Sequence, residues 1–347
     1  MIKYILSSFL VFTFILTGNR CYSQTVTESR GDIRVMFYNV ENLFDVYDDT
    51  IKNDNEFLPD GEKKWTYSHF RQKTLNIYKT IAAVGEVSPP EIVCFAEIEN
   101  RYVLNELIYK TPLEKYRYKI VHFDSPDLRG IDVGLIYRKE KIQFIDSRNI
   151  EVDLPFKYSR PTRDILYFKC LVDRSDTLHL FVNHWPSRMG GKAKSASKRN
   201  YAATVLRNSV DSILEFNSCA KILIMGDFND EPWDESIQKH LGALNTFNEP
   251  SCADLYNLSS TGSNDVSGTY RYMAEWNFLD QCIVSGSLLN ETGSLHTNAD
   301  KFHIADFDFL LQDDNKFGGK KPFRTYIGPL YHGGFSDHLP VFVDLDL

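Results

Sequence analysis

Lys221-Ile-Leu-Ile-Met-Gly-Asp-Phe-Asn229 is the stretch from which the rest of the chain is read. Ile222 to Met225 form a short apolar run, the pattern of a buried strand. The run ends on Gly226-Asp227-Phe228-Asn229, which alone could be a plain turn, since Gly, Asp and Asn favour turn geometry. The same arrangement, apolar run and then polar cluster, recurs in both directions along the chain. Upstream, Leu178 to Val182 lead into Asn183-His184, and Ile92 to Ala96 deliver Glu97. Ile33, Val35 and Phe37 alternate with Arg34 and Met36 before Tyr38-Asn39-Val40-Glu41-Asn42. Downstream, Asp280 opens the run Leu279 to Ser285, and Ser336-Asp337-His338 precedes a last strand alternating through Val341, Val343 and Leu345. Each cluster has a dull reading of its own: Glu97 a solvated strand end, His184 a histidine packed beside Trp185-Pro186, Asp337-His338 a strand cap. Six of them on the ends of strands, where side chains are held rigidly and can converge on one cleft, read as a site.

Between these strands lie helical periods. Tyr67, Phe70, Thr74, Ile77, Ile81 and Val84 recur at three- and four-residue steps. A short helix is expected around Val103 to Leu107 and a longer one from Ser195 to Phe216. Continuous and alternating strands with few helices point to mixed sheets packed face to face, helices outside.

The first residues read as an export signal: Lys3, then a nearly unbroken apolar stretch from Tyr4 to Thr17, too short to span a bilayer comfortably. Small residues Cys21 and Ser23 fit the −3 and −1 positions of a cut before Gln24, giving a 1–23 signal peptide and one mature domain, 24–347. Lipid modification of Cys21 is the competing reading, and Arg20 before it argues against that. The expected product is an exported, periplasmic or extracellular monomer without a stable membrane span. Losing Lys3 and Arg20 takes the formal charge from −8 to −10, which opposes tight non-specific nucleic-acid binding but not turnover of nucleic acid. Cys94, Cys170 and Cys282 sit inside apolar runs and read as core residues. Cys219 and Cys252 could pair in an oxidising compartment.

The ordered set Asn39, Glu97, His184, Gly226-Asp227-Phe228-Asn229, Asp280 and Ser336-Asp337-His338-Leu339-Pro340-Val341 resembles the endonuclease/exonuclease/phosphatase superfamily from about Ile33 to the C-terminus. The resemblance implies a four-layered α/β sandwich of two packed mixed sheets flanked by helices. It implies that Glu97 is the principal metal carboxylate, joined by Glu41 and Asp337, with Asn39 near metal or phosphate. Asp227 and Asn229 resemble the pair that orients the nucleophile, His338 the catalytic histidine and Asp280 its carboxylate. His184 falls at a second histidine position, with Asp132 as the expected partner. Arg188 is expected at the substrate, held near His184 by Trp185-Pro186.

The chemistry asks for the same residue types. An anionic phosphodiester needs a deprotonated water, a more electrophilic phosphorus and a stabilised leaving oxygen. Oxygen ligands suit Mg²⁺ or Mn²⁺, with Ca²⁺ a further possibility, rather than zinc. A histidine paired with a carboxylate acts near neutral pH. The expected activity is hydrolysis of nucleic acid or another phosphodiester, most simply by an endonuclease. A phosphatase or phospholipase-type enzyme acting on inositol phosphates, sugar phosphates or lipid head groups is the alternative. A non-catalytic binding protein on the same scaffold would be expected to have lost acids that are all present here.

Overall fold

Alternation along the first strand sets the layers. In a strand, successive side chains point to opposite faces. In β1 (Ile33–Leu43) this sends Ile33, Val35 and Phe37 into one core and Met36, Tyr38 and Val40 into another. A computed structural model of the chain describes residues 30–157, 159–261, 268–291 and 294–347. The segment read as an export signal and its cleavage site lie outside the described residues. Residues 31–347 form one compact unit.

Two large sheets carry the fold. The first runs in the order Phe302–Ile304, Val341–Leu345, β1, β2 (Ile92–Ile98), β4 (Asp132–Arg138), β3 (Tyr118–His122). The second runs β5 (Ile142–Ile150), β6 (Ile165–Val172), β7 (Asp176–His184), β8 (Lys221–Asp227), Asp280–Ser285, β10 (Leu255–Asn257), β9 (Ala243–Leu244). Parallel pairs, β1 with β2 and β7 with β8, sit among antiparallel ones, so both sheets are mixed. Phe37, Cys94 and Leu135 of one sheet meet Phe168, Leu180, Met225 and Cys282 of the other in a shared core. The helices α1 (Tyr67–Gly85) and α2 (Arg101–Tyr109) bury Phe70, Ile77, Ile81 and Leu104 on the outer face of the first sheet. Helix α3 (Lys192–Phe216) packs Ala202, Leu206 and Val210 on the outer face of the second. Helix, sheet, sheet, helix is the four-layered sandwich expected. Among the described residues no helix is long and apolar enough to cross a membrane.

Cys94, Cys170 and Cys282 are buried free thiols, whereas Cys219 and Cys252 form a disulfide across 33 residues of chain. The bridge ties the start of β8, which carries Asp227, to the segment leading into β10. By the loop-closure estimate it should contribute about 3–4 kcal/mol. A Cys219→Ser/Cys252→Ser variant is therefore expected to unfold at clearly lower denaturant than the parent. Coincident unfolding curves would show that the bridge is dispensable.

Candidate active site

Parallel pairing of β7 with β8 places His184 directly opposite Asp227, and antiparallel pairing of β8 with the next strand places Asp227 opposite Asp280. Three of the polar clusters are thus brought side by side by register. Gly226 is what lets the strands close at this point: a Cβ there would lie 2.4 Å from the Asn183 carbonyl oxygen. On the other sheet, β1 and β2 lose regular register between Asn39 and Leu43, and β2 and β4 between Ala96 and Ile98. Such bulges re-aim side chains at strand ends. Glu41, Asn42, Glu97 and, across the cleft, Asn229 all have positive φ, 51°, 58°, 63° and 51°. For residues other than glycine this conformation is costly, about 1–3 kcal/mol each, and it gathers at functional sites.

The buried carboxylate of Asp227 is the hub. Its Oδ1 accepts from the Asn229 N–H at 2.9 Å and its Oδ2 from the Asn39 amide at 3.1 Å. The Nε2 atoms of His184 and His338 stand 3.6 and 3.9 Å from the same Oδ2. His338 Nδ1 lies 2.7 Å from Asp280 Oδ2, and Asp280 is wholly buried, its other oxygen having no hydrogen-bond partner among the described residues. The Ser336 hydroxyl explains its place in the motif: it donates to the Asn39 carbonyl at 2.7 Å and accepts from the His338 N–H at 3.1 Å, clamping the entry to Val341–Leu345 onto the end of its neighbour β1. Tyr270 packs its ring 4.8 Å from that of His338.

The remaining acids sit on the first-sheet side. Glu97 accepts from the Asn42 N–H at 3.0 Å through Oε2, and its Oε1 lies 3.8 Å from His184 Nε2. Glu41 accepts from the Thr325 N–H at 2.7 Å, and Arg324 spans from Glu41 (3.4 Å) to Asp337 (2.7 Å). Beneath them Lys73, fully buried on α1, donates to the Phe335 carbonyl at 2.6 Å and to the Thr325 hydroxyl.

Burial pushes the Asp227 carboxyl up to about 7, with the nearby Asp280 adding to it and His338 opposing. Burial works against a charge on His338, but the flanking Asp280 and Asp227 outweigh it and hold the imidazole well above its usual range. His184 moves the other way: burial, then the neighbouring Arg163 and Arg129, keep it neutral. Glu41 is raised to about 6 by burial and by Asp337, against the pull of Lys73. A cationic histidine beside a carboxyl that titrates near neutrality, with a neutral histidine opposite, is an arrangement able to move protons.

Two expectations need correction. Asp132 does not partner His184. It opens β4 beside β3, where His122 falls diagonally across the strand pair, and Nε2 of His122 takes Asp132 Oδ2 at 3.1 Å while Ser125 takes Oδ1 with its N–H and hydroxyl at 2.9 and 2.6 Å. His184 Nδ1 is buried with no hydrogen-bond partner among the described residues, and Nε2 faces the acids. Arg188 is committed to the scaffold: it donates to the Asn229 carbonyl and the Asn277 side chain, each at 2.7 Å, and lies 3.6 Å from Glu231. It shapes the Asp227-Asn229 turn rather than projecting to a substrate. Arg163 and Lys73 were not singled out from the sequence, whereas Arg324 closes a basic stretch, Lys316 to Arg324, that lies between Asp280 and His338 and was open to substrate contact. Arg163 is buried, pairs with Asp127 at 3.2 Å and donates to the Trp185 carbonyl beside His184.

Asp227, Asp280 and His338 also lie near enough together to share a cation, with His338 and Asp280 already a hydrogen-bonded pair at 2.7 Å and Asp227 3.9 Å beyond. Glu97, Glu41 and Asp337 offer only oxygen, the donor type a hard divalent ion takes, but Arg324 engages Glu41 and Asp337 and the three are not among the groups of described residues gathered within 4.8 Å.

A model of the Endonuclease/Exonuclease/phosphatase family matches residues 34–347. No curated protein matches the chain. Among solved structures, a mannosyl-6-phosphatase of Bacteroides thetaiotaomicron VPI-5482 is similar with a TM-score of 0.56 at 13% identity, over 91% of this chain and 100% of its own. The human Nocturnin catalytic domain with bound sulfate gives 0.54 at 16% identity, over 90% and 94%. D. rerio TDP2 complexed with a single strand DNA product gives 0.52 at 17%, over 91% and 99%. At these identities the likeness is one of fold.

Proposed function

Because the chain belongs to the Endonuclease/Exonuclease/phosphatase family, and so is a hydrolase of phosphoester bonds, we propose that it is an exported, monomeric, metal-dependent phosphodiesterase, a nuclease of endonuclease type. The observation that carries the reading is the line Asp280, His338, Asp227 on one wall of the cleft facing Glu97 on the other, with His184 between. Asp227, ionising near neutrality, takes a proton from the attacking water, and the Asn229 N–H fixes the carboxylate that receives it. His338, kept cationic by Asp280, and neutral His184 hold the phosphoryl oxygens. Glu97, Glu41 and Asp337 would hold Mg²⁺ or Mn²⁺, which supplies Lewis-acid stabilisation of phosphoryl and leaving oxygens when bound.

The phosphatase reading stays beside it on one observation, the similar fold of a mannosyl-6-phosphatase. One assay separates them. The protein is incubated with Mg²⁺, Mn²⁺ or chelator on plasmid DNA, RNA, an aryl phosphodiester, inositol phosphates, sugar monophosphates and sphingomyelin. Metal-dependent cleavage of the nucleic acids and the aryl diester is expected. Turnover confined to monoesters would replace the nuclease reading, and chelator-insensitive turnover would remove the metal.

A further inference from the structure

A cavity of about 330 Å³ opens off the acid side of the site, beginning at Glu41 and Asn42. Three cationic side chains, Lys63, Arg129 and Arg324, reach its lining from separate parts of the chain. Lys63 is seated by the Gly328 carbonyl at 2.7 Å and lies over the ring of Tyr326, 5.2 Å from its centroid. Its ion pair with Glu56, at 3.0 Å, is to a half-exposed carboxylate that solvent already screens. Arg129 rests its Nε on Asp127 at 3.4 Å and is itself half exposed. Against these stand two acids in the lining, Glu41 and Glu56, and two outside it, Asp127 and Asp337, that pair with Arg129 and Arg324, so a bound phosphate would take its contacts in competition with these carboxylates.

Phe44, Phe57 and Tyr326 form the apolar wall, and the stacked Phe44–Phe57 pair, with ring centroids 4.4 Å apart, makes it rigid. Guanidinium forks and an ammonium set on rigid walls are the equipment for a phosphate group, whose oxygens accept several charge-assisted bonds at once. The place matters as much as the charge. Glu41 is shared with the proposed metal acids, and Arg324 bridges it to Asp337, the neighbour of His338. A group bound in this cavity would therefore belong to the same molecule as the phosphate being cleaved.

Resting on the phosphodiesterase reading above, we propose that this cavity seats a second phosphate of the substrate, on the side of the scissile group away from Asp227 and His338. Preferred substrates then carry a phosphate next to the one hydrolysed, and Lys63 and Arg129 set that preference. The chemistry is shared by two sources, a nucleic-acid strand and a small bisphosphorylated sugar.

Binding is measured by calorimetry on the full protein with thymidine 3′,5′-bisphosphate against thymidine 5′-monophosphate, and with glucose 1,6-bisphosphate against glucose 6-phosphate. KM is measured in parallel for a dithymidine diester with and without a 5′-phosphate. The second phosphate is expected to tighten binding roughly tenfold or more. In Lys63→Gln and Arg129→Gln that advantage should fall severalfold, with melting temperatures confirming that both variants fold. Advantage in the thymidine pair alone assigns the cavity to nucleic acid, and in the glucose pair alone to small bisphosphates. Bis- and monophosphates binding equally, or an advantage that survives both substitutions, would overturn the proposal. If the parent hydrolyses nothing but still binds bisphosphates through Lys63 and Arg129, the phosphodiesterase reading fails and the phosphate seat stands.

Discussion

Loss of the His338 imidazole is expected to lower kcat by about 10²- to 10³-fold, the cost of removing one donor to the reacting oxygens, whether alanine or glutamine replaces it. The two replacements should differ in stability. With alanine, the Asp280 carboxylate, wholly buried and 2.7 Å from Nδ1, is left without its partner, and stranding a buried charge costs about 3–5 kcal/mol. Glutamine can still donate to it, so the melting temperature should be partly restored while kcat is not. Asp280→Asn should also depress kcat, because it removes the charge that keeps His338 cationic. If the pair acts as a unit, Asp280→Asn added to His338→Gln costs little more than His338→Gln alone. Multiplying losses would show that the two side chains work separately. The pH profile adds a check on Asp227. Its carboxyl is raised to about 7 by burial, so the base form is lost as pH falls through that value. The parent's rate should therefore climb with pH across neutrality, and Asp227→Asn should be slow and lack that limb.

Most of this site is legible in the sequence, because its parts sit where apolar runs stop. Alternation in Ile33 to Phe37 and the unbroken run Ile222 to Met225 locate strand ends, and strand ends locate Asn39, Glu97, His184 and Asp227. Register is where that reading stops. Asp132 ends up with His122 because β3 and β4 pair antiparallel with His122 opposite Gly134, an alignment that neither segment shows by itself. The bulges that turn Glu41 and Glu97 into the cleft are likewise a property of pairs of strands. Lys73 did carry a signal: it stands between Phe70 and Ile77 on the buried face of α1, and a charge on an apolar stripe needs a partner. Arg163-Asp164 precede the apolar run of β6 as Asp280 opens its own, a pattern of the same kind. Arg324 carried a weaker sign, closing the basic stretch Lys316 to Arg324 between Asp280 and His338, most of whose lysines read as a solvated loop.

Lys73→Met is expected to lower the stability of the metal-free protein by about 3–5 kcal/mol, the second large effect. Methionine matches the length of the stem, so little packing is lost. What goes is an ammonium that donates to Phe335 and Thr325 and whose charge bears on Glu41, Asp337 and Glu97 together. Those three carboxylates are balanced by Lys73 and Arg324, leaving one excess negative charge. One divalent ion reverses that sign by a single unit, enough to attract an anionic phosphate. A second would have to enter a site already positive, so the stoichiometry should be one. Removing Lys73 makes the acids more negative and should tighten divalent-ion binding while the empty protein becomes weaker. Mg²⁺ should therefore raise the melting temperature of Lys73→Met more than that of the parent, and calorimetry should find a smaller Kd at unchanged stoichiometry. A purely structural lysine predicts the lower melting temperature with an unaltered Mg²⁺ response. An undisturbed melting temperature would show that the buried ammonium contributes nothing, and that the acids hold their positions without it.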